Sequence, residues 1–472
     1  MRRVFIVIGL LVFIFAASTA YLALRLDVPV REGYFYTNGA FLRYLEWEPV
    51  NTQARGLVVL YHGYGGSAEM MGWLGVELAR NGFLAVAFDN RGHGKSSSTF
   101  SFNASFVKGD FEELLRHVGY EGWALVLIGH SMGGSAVQSA ARSGIPVYGL
   151  VVLASKPLPV APVNRSLLVL GGLDEIFPPS SIQDLKLQGW DVAVFPRDDH
   201  LTILYDPGVI GGVLQWLIGS HVNYSGERIA VTLLRSVSVL LLLPLLPLLF
   251  TGERAPQSTS IFSGKFWFAA LGGFLALPIY YLLSLAVPAP VAVYVVAVLY
   301  AEALGFLVVF AKRLPVVSPF ARLSPQTLLA SVGIALVSYV LIHEALQPFL
   351  NVEPSWYRSS LVLELLLLLL PPVSVSELFV RPYLGGSGRL GLFRVVALRI
   401  ACFMTAWVGA ALVLGQGGFT GYLLVVTLMS MLLILPIDAA ASSWLARFPP
   451  AVNAIWVSLV LAVLLGAVSP VV

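Results

Sequence analysis

The stretch LIGHSMGGSA, residues 127–136, decides the fold of the first half of this 472-residue chain. It overlaps an aliphatic run, WALVLIG (123–129), and leads into a helical pattern, SAVQSAARSG (135–144). Ser131 is therefore predicted to lie at a tight turn from a strand into a helix. Glycines two residues away on either side suit such a turn, because a side chain there would strike the neighbouring strand or helix. The motif alone is also compatible with a serine that merely caps a helix after a glycine-rich turn.

Further strands are predicted on both sides of this turn. FYTNGAFLRYLEW (35–47) is typical of a hairpin around Asn38 and Gly39, a pair that tolerates positive φ. Short β-branched and aliphatic runs follow at GLVVLYHG (56–63), FLAVAFD (83–89), VYGLVVLAS (147–155), SLLVLGG (166–172) and VAVF (192–195). Helical patterns such as 68–82 and 106–119 separate them, which predicts an α/β domain with a mostly parallel sheet and helices on both faces.

A nucleophilic serine needs a base, and the base needs an acid to orient it. In this strand order both should come from later strand ends, the acid first. Asp174 follows the strand SLLVL, and His200 ends the loop after DVAVF. Two backbone N–H groups, of Met132 after the serine and of Tyr64 after the first parallel strand, are placed to stabilise an oxyanion. Glu175, Asp198 and Asp199 are alternative acids near the same strand ends.

Together these motifs resemble the α/β-hydrolase superfamily, in particular monoglyceride lipases and serine aminopeptidases. The resembling motifs are YHGYGGS (61–67), FDNRGHGKS (88–96), GHSMGG (129–134), GGLDEIFPP (171–179) and the final DDH (198–200). The resemblance implies a triad of Ser131, Asp174 and His200, with Asp174 at the family spacing after the glycine pair. His62, Arg91 and His93 also belong to these motifs, and we interpret them as residues that shape loops.

The sequence departs from many relatives in one place. About a dozen residues, including KPLPVAPVNR (156–165), separate the strand after the nucleophile helix from the next strand, which leaves no room for a helical cap. The membrane surface or an outer loop such as LQPFLNVEPSWYR (346–358) is an alternative cover for the site.

The composition indicates a membrane protein, since 57% of the residues are hydrophobic and only 12% are charged. Apolar runs of spanning length predict about nine membrane helices, one at the N-terminus and about eight after residue 226. Residues 1–32 are interpreted as an uncleaved signal anchor with a linker, with a cleaved signal peptide as the alternative. Residues 33–225 form the predicted hydrolase domain, and residues 226–472 the polytopic membrane domain.

Positive charge concentrates in alternate loops, which predicts a multi-pass cell-membrane protein with the hydrolase domain outside the cytoplasm. Charged or titratable residues inside the predicted spans are Arg235, His343, Glu344 and Glu364 toward the outer leaflet, Glu377, Arg399 and Asp438 toward the inner leaflet, and Glu302 near mid-depth. They either brace the bundle as ion pairs or line a polar cavity for a lipid headgroup.

The predicted function is a membrane-anchored serine hydrolase that cleaves an ester, lipid-like or acylglycerol, or a peptide. The alternative is a transporter, receptor or scaffold with a hydrolase-like binding domain. No cofactor or metal site is expected, and the single cysteine, Cys402, excludes a disulfide within the chain and a cysteine-based metal centre. The chain carries no basic stripe, so nucleic acid is not an expected partner, whereas membrane lipid is.

Overall fold

The computed structural model describes residues 2–25, 28–50, 52–101, 103–159, 163–182, 189–219, 222, 224, 226–245, 264–313, 320, 324–384, 389–415, 418–444 and 449–472. They form two compact units. The sheet unit comprises Ser18–Leu233, Leu346–Tyr357 and Pro470–Val472, and the helical unit comprises Met1–Ala17, Leu234–Ala345 and Arg358–Ser469.

The sheet unit is built on eight strands. They are β1 (Val30–Thr37), β2 (Ala40–Trp47), β3 (Leu57–Tyr61), β4 (Leu84–Phe88), β5 (Leu125–His130), β6 (Gly149–Leu153), β7 (Arg165–Gly171) and β8 (Asp191–Phe195). Their order across the sheet is β1-β2-β4-β3-β5-β6-β7-β8. The pairs β1–β2 and β2–β4 are antiparallel, and every later neighbour is parallel. The mostly parallel sheet confirms the predicted α/β class.

The hairpin between β1 and β2 turns where the sequence predicts it. Asn38 and Gly39 have φ angles of 43° and 79°. Two successive residues in the left-handed region characterise the two-residue turns that match the twist of a hairpin.

Helices cover both faces of the sheet. The helices of the first half of the chain are α1 (Arg2–Arg25), α2 (Gly72–Arg80), α3 (Ala104–His117), α4 (Met132–Arg142) and α5 (Pro207–Ile218). One buried apolar cluster joins α2 and α5 to one face of the sheet, and a second joins α3 and α4 to the other. Strand β3 is buried along its whole length, so its apolar run has no polar alternation.

The connection from β6 to β7 spans only residues 154–164. So short a segment has no space for a helical cap domain. The structure therefore agrees with the predicted absence of a sizeable cap at this connection.

The helices of the second half lie mainly in the helical unit. They are α6 (Glu227–Leu245), α7 (Gly264–Ala270), α8 (Ala276–Ser284), α9 (Pro290–Phe310), α10 (Pro325–Leu346), α11 (Ser359–Val375), α12 (Arg381–Leu384), α13 (Arg389–Leu414), α14 (Gly418–Trp444) and α15 (Pro450–Val468). Among the described residues, six helical segments are long and apolar enough to cross a membrane. The count of nine membrane helices stays a prediction.

Several opposite charges in the described part of the helical unit form ion pairs. Arg399 donates to both carboxylate oxygens of Glu302, at 2.8 and 3.1 Å, and both side chains are buried. Arg235 contacts Glu344, and Arg381 contacts Glu377 one turn away. The side chain of Asp438 lies outside the described residues, and Glu364 is exposed. These pairs favour the interpretation that the charges brace the bundle, because an unpaired charge in hydrocarbon is costly.

Candidate active site

Ser131 lies in a strained turn between β5 and α4. Its φ and ψ angles are 53° and −116°, a region that residues with a side chain rarely adopt. The Ser131 N–H donates to the Leu153 carbonyl of β6 at 2.9 Å, which fixes the turn against the neighbouring strand. The serine side chain remains partly accessible at the carboxyl end of the sheet.

The flanking glycines allow the close approach that this turn requires. A Cβ on Gly129 would lie 2.2 Å from the Gly133 carbonyl oxygen, and a Cβ on Gly133 would lie 2.2 Å from the Tyr61 carbonyl oxygen. A Cβ on Gly134 would lie 2.6 Å from the Ser155 Cβ. Each separation is well inside van der Waals contact, so α4 can cross the sheet this closely only with glycine at these positions.

Ser131, His200 and Asp174 form a continuous hydrogen-bonded chain. His200 Nε2 lies 2.9 Å from Ser131 Oγ, and His200 Nδ1 lies 3.1 Å from each oxygen of the Asp174 carboxylate. An ionised carboxylate only accepts, so Nδ1 carries the imidazole proton and Nε2 is free to accept from the serine hydroxyl. Asp174 comes from the loop after β7, and His200 from the loop after β8.

Two of the three alternative acids, Glu175 and Asp199, have other contacts. Glu175 Oε2 accepts from the His200 backbone N–H at 3.4 Å, and Asp199 accepts from the backbone N–H groups of Leu201 and Thr202. The imidazole Nδ1 of His200 thus contacts Asp174, as the sequence predicts for the acid of the triad.

The Asp174 carboxylate is stabilised in its charged form. Burial alone would raise its pKa, but the hydrogen bond and charge of His200 and the N–H groups of Phe177 and Ile176 outweigh burial, so the pKa lies below its ordinary value. The two N–H groups donate to Oδ1 at 2.7 and 2.8 Å. A carboxylate held this way accepts from a histidine without taking its proton.

His130, directly before the serine, is buried and neutral. Its Nε2 lies 2.8 Å from the His200 carbonyl oxygen, which only accepts, so Nε2 carries the proton. Burial, reinforced by the neighbouring His200, lowers the pKa of His130 to about 3. His130 thus supports the backbone of the loop that presents His200.

His62, at the end of β3, is a second buried neutral histidine. Its Nδ1 lies 2.8 Å from the Gly63 carbonyl, and its Nε2 accepts from the Asn90 N–H at 3.0 Å. Burial lowers its pKa. The ring therefore ties the loop after β3 to the loop after β4, which agrees with the interpretation of His62 as a loop-shaping residue.

Two buried arginines hold the loop after β4. Arg91 donates to both oxygens of Asp110, at 2.8 and 2.6 Å, and to the Thr37 carbonyl at 2.9 Å. Arg43 lies 2.7 Å from Glu69 and 3.3 Å from Asp89. The bidentate Arg91 contact fits a structural role. Arg43 belongs to none of the sequence motifs, so the sequence alone gives no indication of its role.

The two predicted oxyanion donors come from two separate segments, the start of α4 and the loop after β3. Met132 is the first residue of α4, where the helix leaves N–H groups without a partner inside the helix. Tyr64 follows β3 in a turn that the Gly66 N–H closes on the Gly63 carbonyl at 3.0 Å. The Tyr64 ring packs edge-on against His93 and Phe100, with ring centroids 5.3 and 5.4 Å apart.

The sheet unit is similar in sequence to known hydrolases. Residues 52–189 match a family model described as "Serine aminopeptidase, S33". A monoacylglycerol lipase of Mycolicibacterium smegmatis is 30% identical over 188 residues, which are 37% of this chain and 64% of the relative. The chain therefore spans less than two thirds of that relative's length.

Two solved structures are similar to about two fifths of the chain. A predicted CIB-like hydrolase from Thermoplasma acidophilum is 18% identical, covers 40% of this chain and 98% of its own, and has a TM-score of 0.37. A soluble variant of monoglyceride lipase from Saccharomyces cerevisiae is 18% identical, covers 40% of this chain and 95% of its own, and has a TM-score of 0.35.

Proposed function

We propose that this chain, whose sheet unit belongs to the α/β-hydrolase superfamily, is a membrane-anchored serine hydrolase that cleaves esters through an acyl-enzyme. One observation carries the proposal, the chain of hydrogen bonds from Ser131 Oγ through His200 to Asp174. A binding module would need no serine hydroxyl aligned on an imidazole that is itself oriented by a buried carboxylate.

In the first half of the reaction, Ser131 Oγ forms a bond to the ester carbonyl carbon while His200 Nε2 takes the hydroxyl proton. The N–H groups of Met132 and Tyr64 stabilise the negative charge that forms on the carbonyl oxygen. When this intermediate collapses, the bond to the alcohol breaks, and His200 returns its proton to the leaving oxygen. Asp174 stabilises the imidazolium between these two transfers.

In the second half, a water molecule attacks the acyl group on Ser131. His200 takes one proton from the water and then returns it to Ser131 Oγ as the acid leaves. The net reaction is hydrolysis of one ester bond to an alcohol and a carboxylic acid.

We propose a lipid-like ester, such as an acylglycerol, as the substrate. The similarity to a monoacylglycerol lipase supports this class, and so do the long apolar helices in the same chain. A tethered enzyme gains effective concentration chiefly for substrates in its own membrane.

The test is the full-length Ser131→Ala protein, assayed on a soluble p-nitrophenyl ester and on monoacylglycerol in vesicles. Loss of the nucleophile should lower kcat by about 10⁴- to 10⁶-fold and abolish fluorophosphonate labelling. Ser135→Ala, one helical turn further along α4, is the matched control and should keep both activities. Labelling that persists in Ser131→Ala would refute the assignment.

A further inference from the structure

Two short segments from the second half of the chain complete the sheet unit. They are Leu346–Tyr357, between α10 and α11, and Pro470–Val472, directly after α15. Both pack beside the loops that follow β3 and β4, although they lie roughly 250 to 400 residues further along the sequence.

Val471 bridges the two ends of the loop after β4. Its N–H donates to the Gly92 carbonyl at 2.9 Å, and its carbonyl accepts from the Phe100 N–H at 2.7 Å. Gly92 has a φ of 69°, and a Cβ there would lie 2.4 Å from the Val471 carbonyl oxygen. This close approach is therefore possible only with glycine at position 92.

The bridge fixes the rings that surround Tyr64. Phe100 packs edge-on against both His93 and Tyr64, with centroids 5.2 and 5.4 Å away. His93 is buried and packs edge-on against Tyr64 at 5.3 Å. The backbone of Val471 thus holds Gly92 and Phe100 in the loop after β4. Rings of this loop in turn hold the side chain of Tyr64, the predicted oxyanion donor.

Leu346–Tyr357 contacts the donor loop, which is the loop after β3 that contains Tyr64 and Ser67. The Asn351 N–H donates to Ser67 Oγ at 2.9 Å, and both residues are buried. Glu353 forms an ion pair with Lys95 at 2.7 Å, and the Phe349 ring packs against Trp73 and Tyr205 at 5.8 and 5.4 Å. The donor loop is therefore held at two points. Asn351 contacts it at Ser67, and the rings of His93 and Phe100 contact it at the Tyr64 ring.

We infer that Val471 and Asn351 are positioning residues that hold the backbone N–H of Tyr64 at the oxyanion, so that hydrolysis depends on segments joined to the predicted membrane helices α10, α11 and α15. This inference rests on the proposed function. The predicted active site is then incomplete in residues 33–225 alone, and a shift in either segment would change the rate of the chemical step.

The test compares full-length Val471→Pro with Val471→Ala in detergent on a soluble p-nitrophenyl ester. Proline removes the N–H that donates to Gly92, whereas alanine keeps the whole backbone bridge. Fluorophosphonate titration counts the reactive serines, and kcat is expressed per titrated site.

Loss of one oxyanion donor lowers kcat by about 10²- to 10³-fold, so a displaced donor should lower kcat in Val471→Pro by at least about 10-fold. KM should stay within about 3-fold, because an oxyanion donor acts mainly in the transition state.

A kcat in Val471→Pro within about twofold of Val471→Ala would overturn the inference, since such a difference is under ~0.5 kcal/mol. If Val471→Pro yields no folded protein, Ser67→Ala and Ser67→Thr decide. Ser67→Ala removes the acceptor for Asn351 and should lower kcat, whereas Ser67→Thr keeps the hydroxyl and should restore it. Equal kcat in both Ser67 variants would overturn the inference.

The same assays separate this inference from the proposed function. A wild-type protein without ester hydrolysis and without labelling that depends on Ser131 would refute both. An active wild-type protein whose kcat is unaffected by the Val471 and Ser67 changes would refute only the positioning role.

Discussion

Two buried, neutral histidines lie close to the proposed catalytic residues in the sheet unit. His62 and His130 are both buried, and each has one nitrogen against a backbone carbonyl. Neither can gain a proton without placing a charge in the apolar interior beside the triad. Asp174, whose pKa is lowered, differs because its charged form is the stabilised one.

We predict that His130 makes the sheet unit less stable as the pH falls from about 6.5. Its pKa is about 3 in the folded protein, so below about 6.5 the unfolded chain binds a proton that the folded protein does not. Stability then decreases with falling pH, by up to ~1.4 kcal/mol per pH unit for one such group. His130→Gln keeps a donor for the His200 carbonyl and should flatten this dependence, measured as the thermal midpoint by near-UV circular dichroism between pH 7 and pH 5.

The control for that measurement is His117→Gln, which changes an exposed histidine on α3. This variant should keep the wild-type dependence of the thermal midpoint on pH. His62 remains in both variants and contributes in the same direction, so the expected result is a reduced slope rather than a flat line. An unchanged slope in His130→Gln would show that His130 does not control the acid response.

At the scale of elements, sequence patterns predict the strands, the serine turn and the chain order of the proposed triad. Runs such as 56–63 are predictable because a parallel strand buried on both faces is continuously apolar. The position of β4 outside β3 is not predictable from such runs, since strand order depends on packing between elements. The contacts of Asn351 and Val471 could not be predicted either, because a backbone hydrogen bond to a residue hundreds of positions away produces no local sequence pattern.

We predict that Gly133→Ala disrupts the turn from β5 into α4. The new methyl group would lie 2.2 and 2.7 Å from the carbonyl oxygens of Tyr61, the last residue of β3, and His62, the next residue, and this buried backbone cannot easily move. Hydrolysis and fluorophosphonate labelling should be lost, and the thermal midpoint should fall by several degrees, as for a destabilisation of about 2 kcal/mol or more. Gly212→Ala on α5 meets its nearest atom at 3.4 Å and should leave all three measurements near wild type. Normal labelling of Gly133→Ala would contradict the tight crossing of helix and sheet.

At the scale of the whole molecule, the loop charges follow the predicted topology with one exception. The predicted cytoplasmic loops carry lysines and arginines, whereas the predicted outer loops at 287–290 and 415–418 carry none. Arg358 belongs to a predicted outer loop, but its Nη1 donates to the carbonyls of Gly466, Ala467 and Ser469 at 2.9, 2.9 and 2.6 Å. A buried arginine that satisfies the last carbonyls of α15 has a structural reason for its position, so it does not weaken the charge rule.

We predict from this charge pattern that the sheet unit faces the outside of the cell. Glu121 is exposed in the turn before β5, and Lys312 is exposed after α9 in a predicted cytoplasmic loop. In a Cys402→Ala background, Glu121→Cys should react with a membrane-impermeant maleimide in intact spheroplasts, whereas Lys312→Cys should react only after lysis. The two sites are comparable because each carries an exposed, charged side chain, and they lie on opposite predicted sides of the membrane. Arg2 and Arg3, the first two residues of α1, would then lie at the cytoplasmic end of this helix, and α1 would carry the chain outward to the sheet unit. The reverse pattern, with Lys312→Cys reactive in intact spheroplasts and Glu121→Cys protected, would invert the topology and place the proposed hydrolase on the cytoplasmic face.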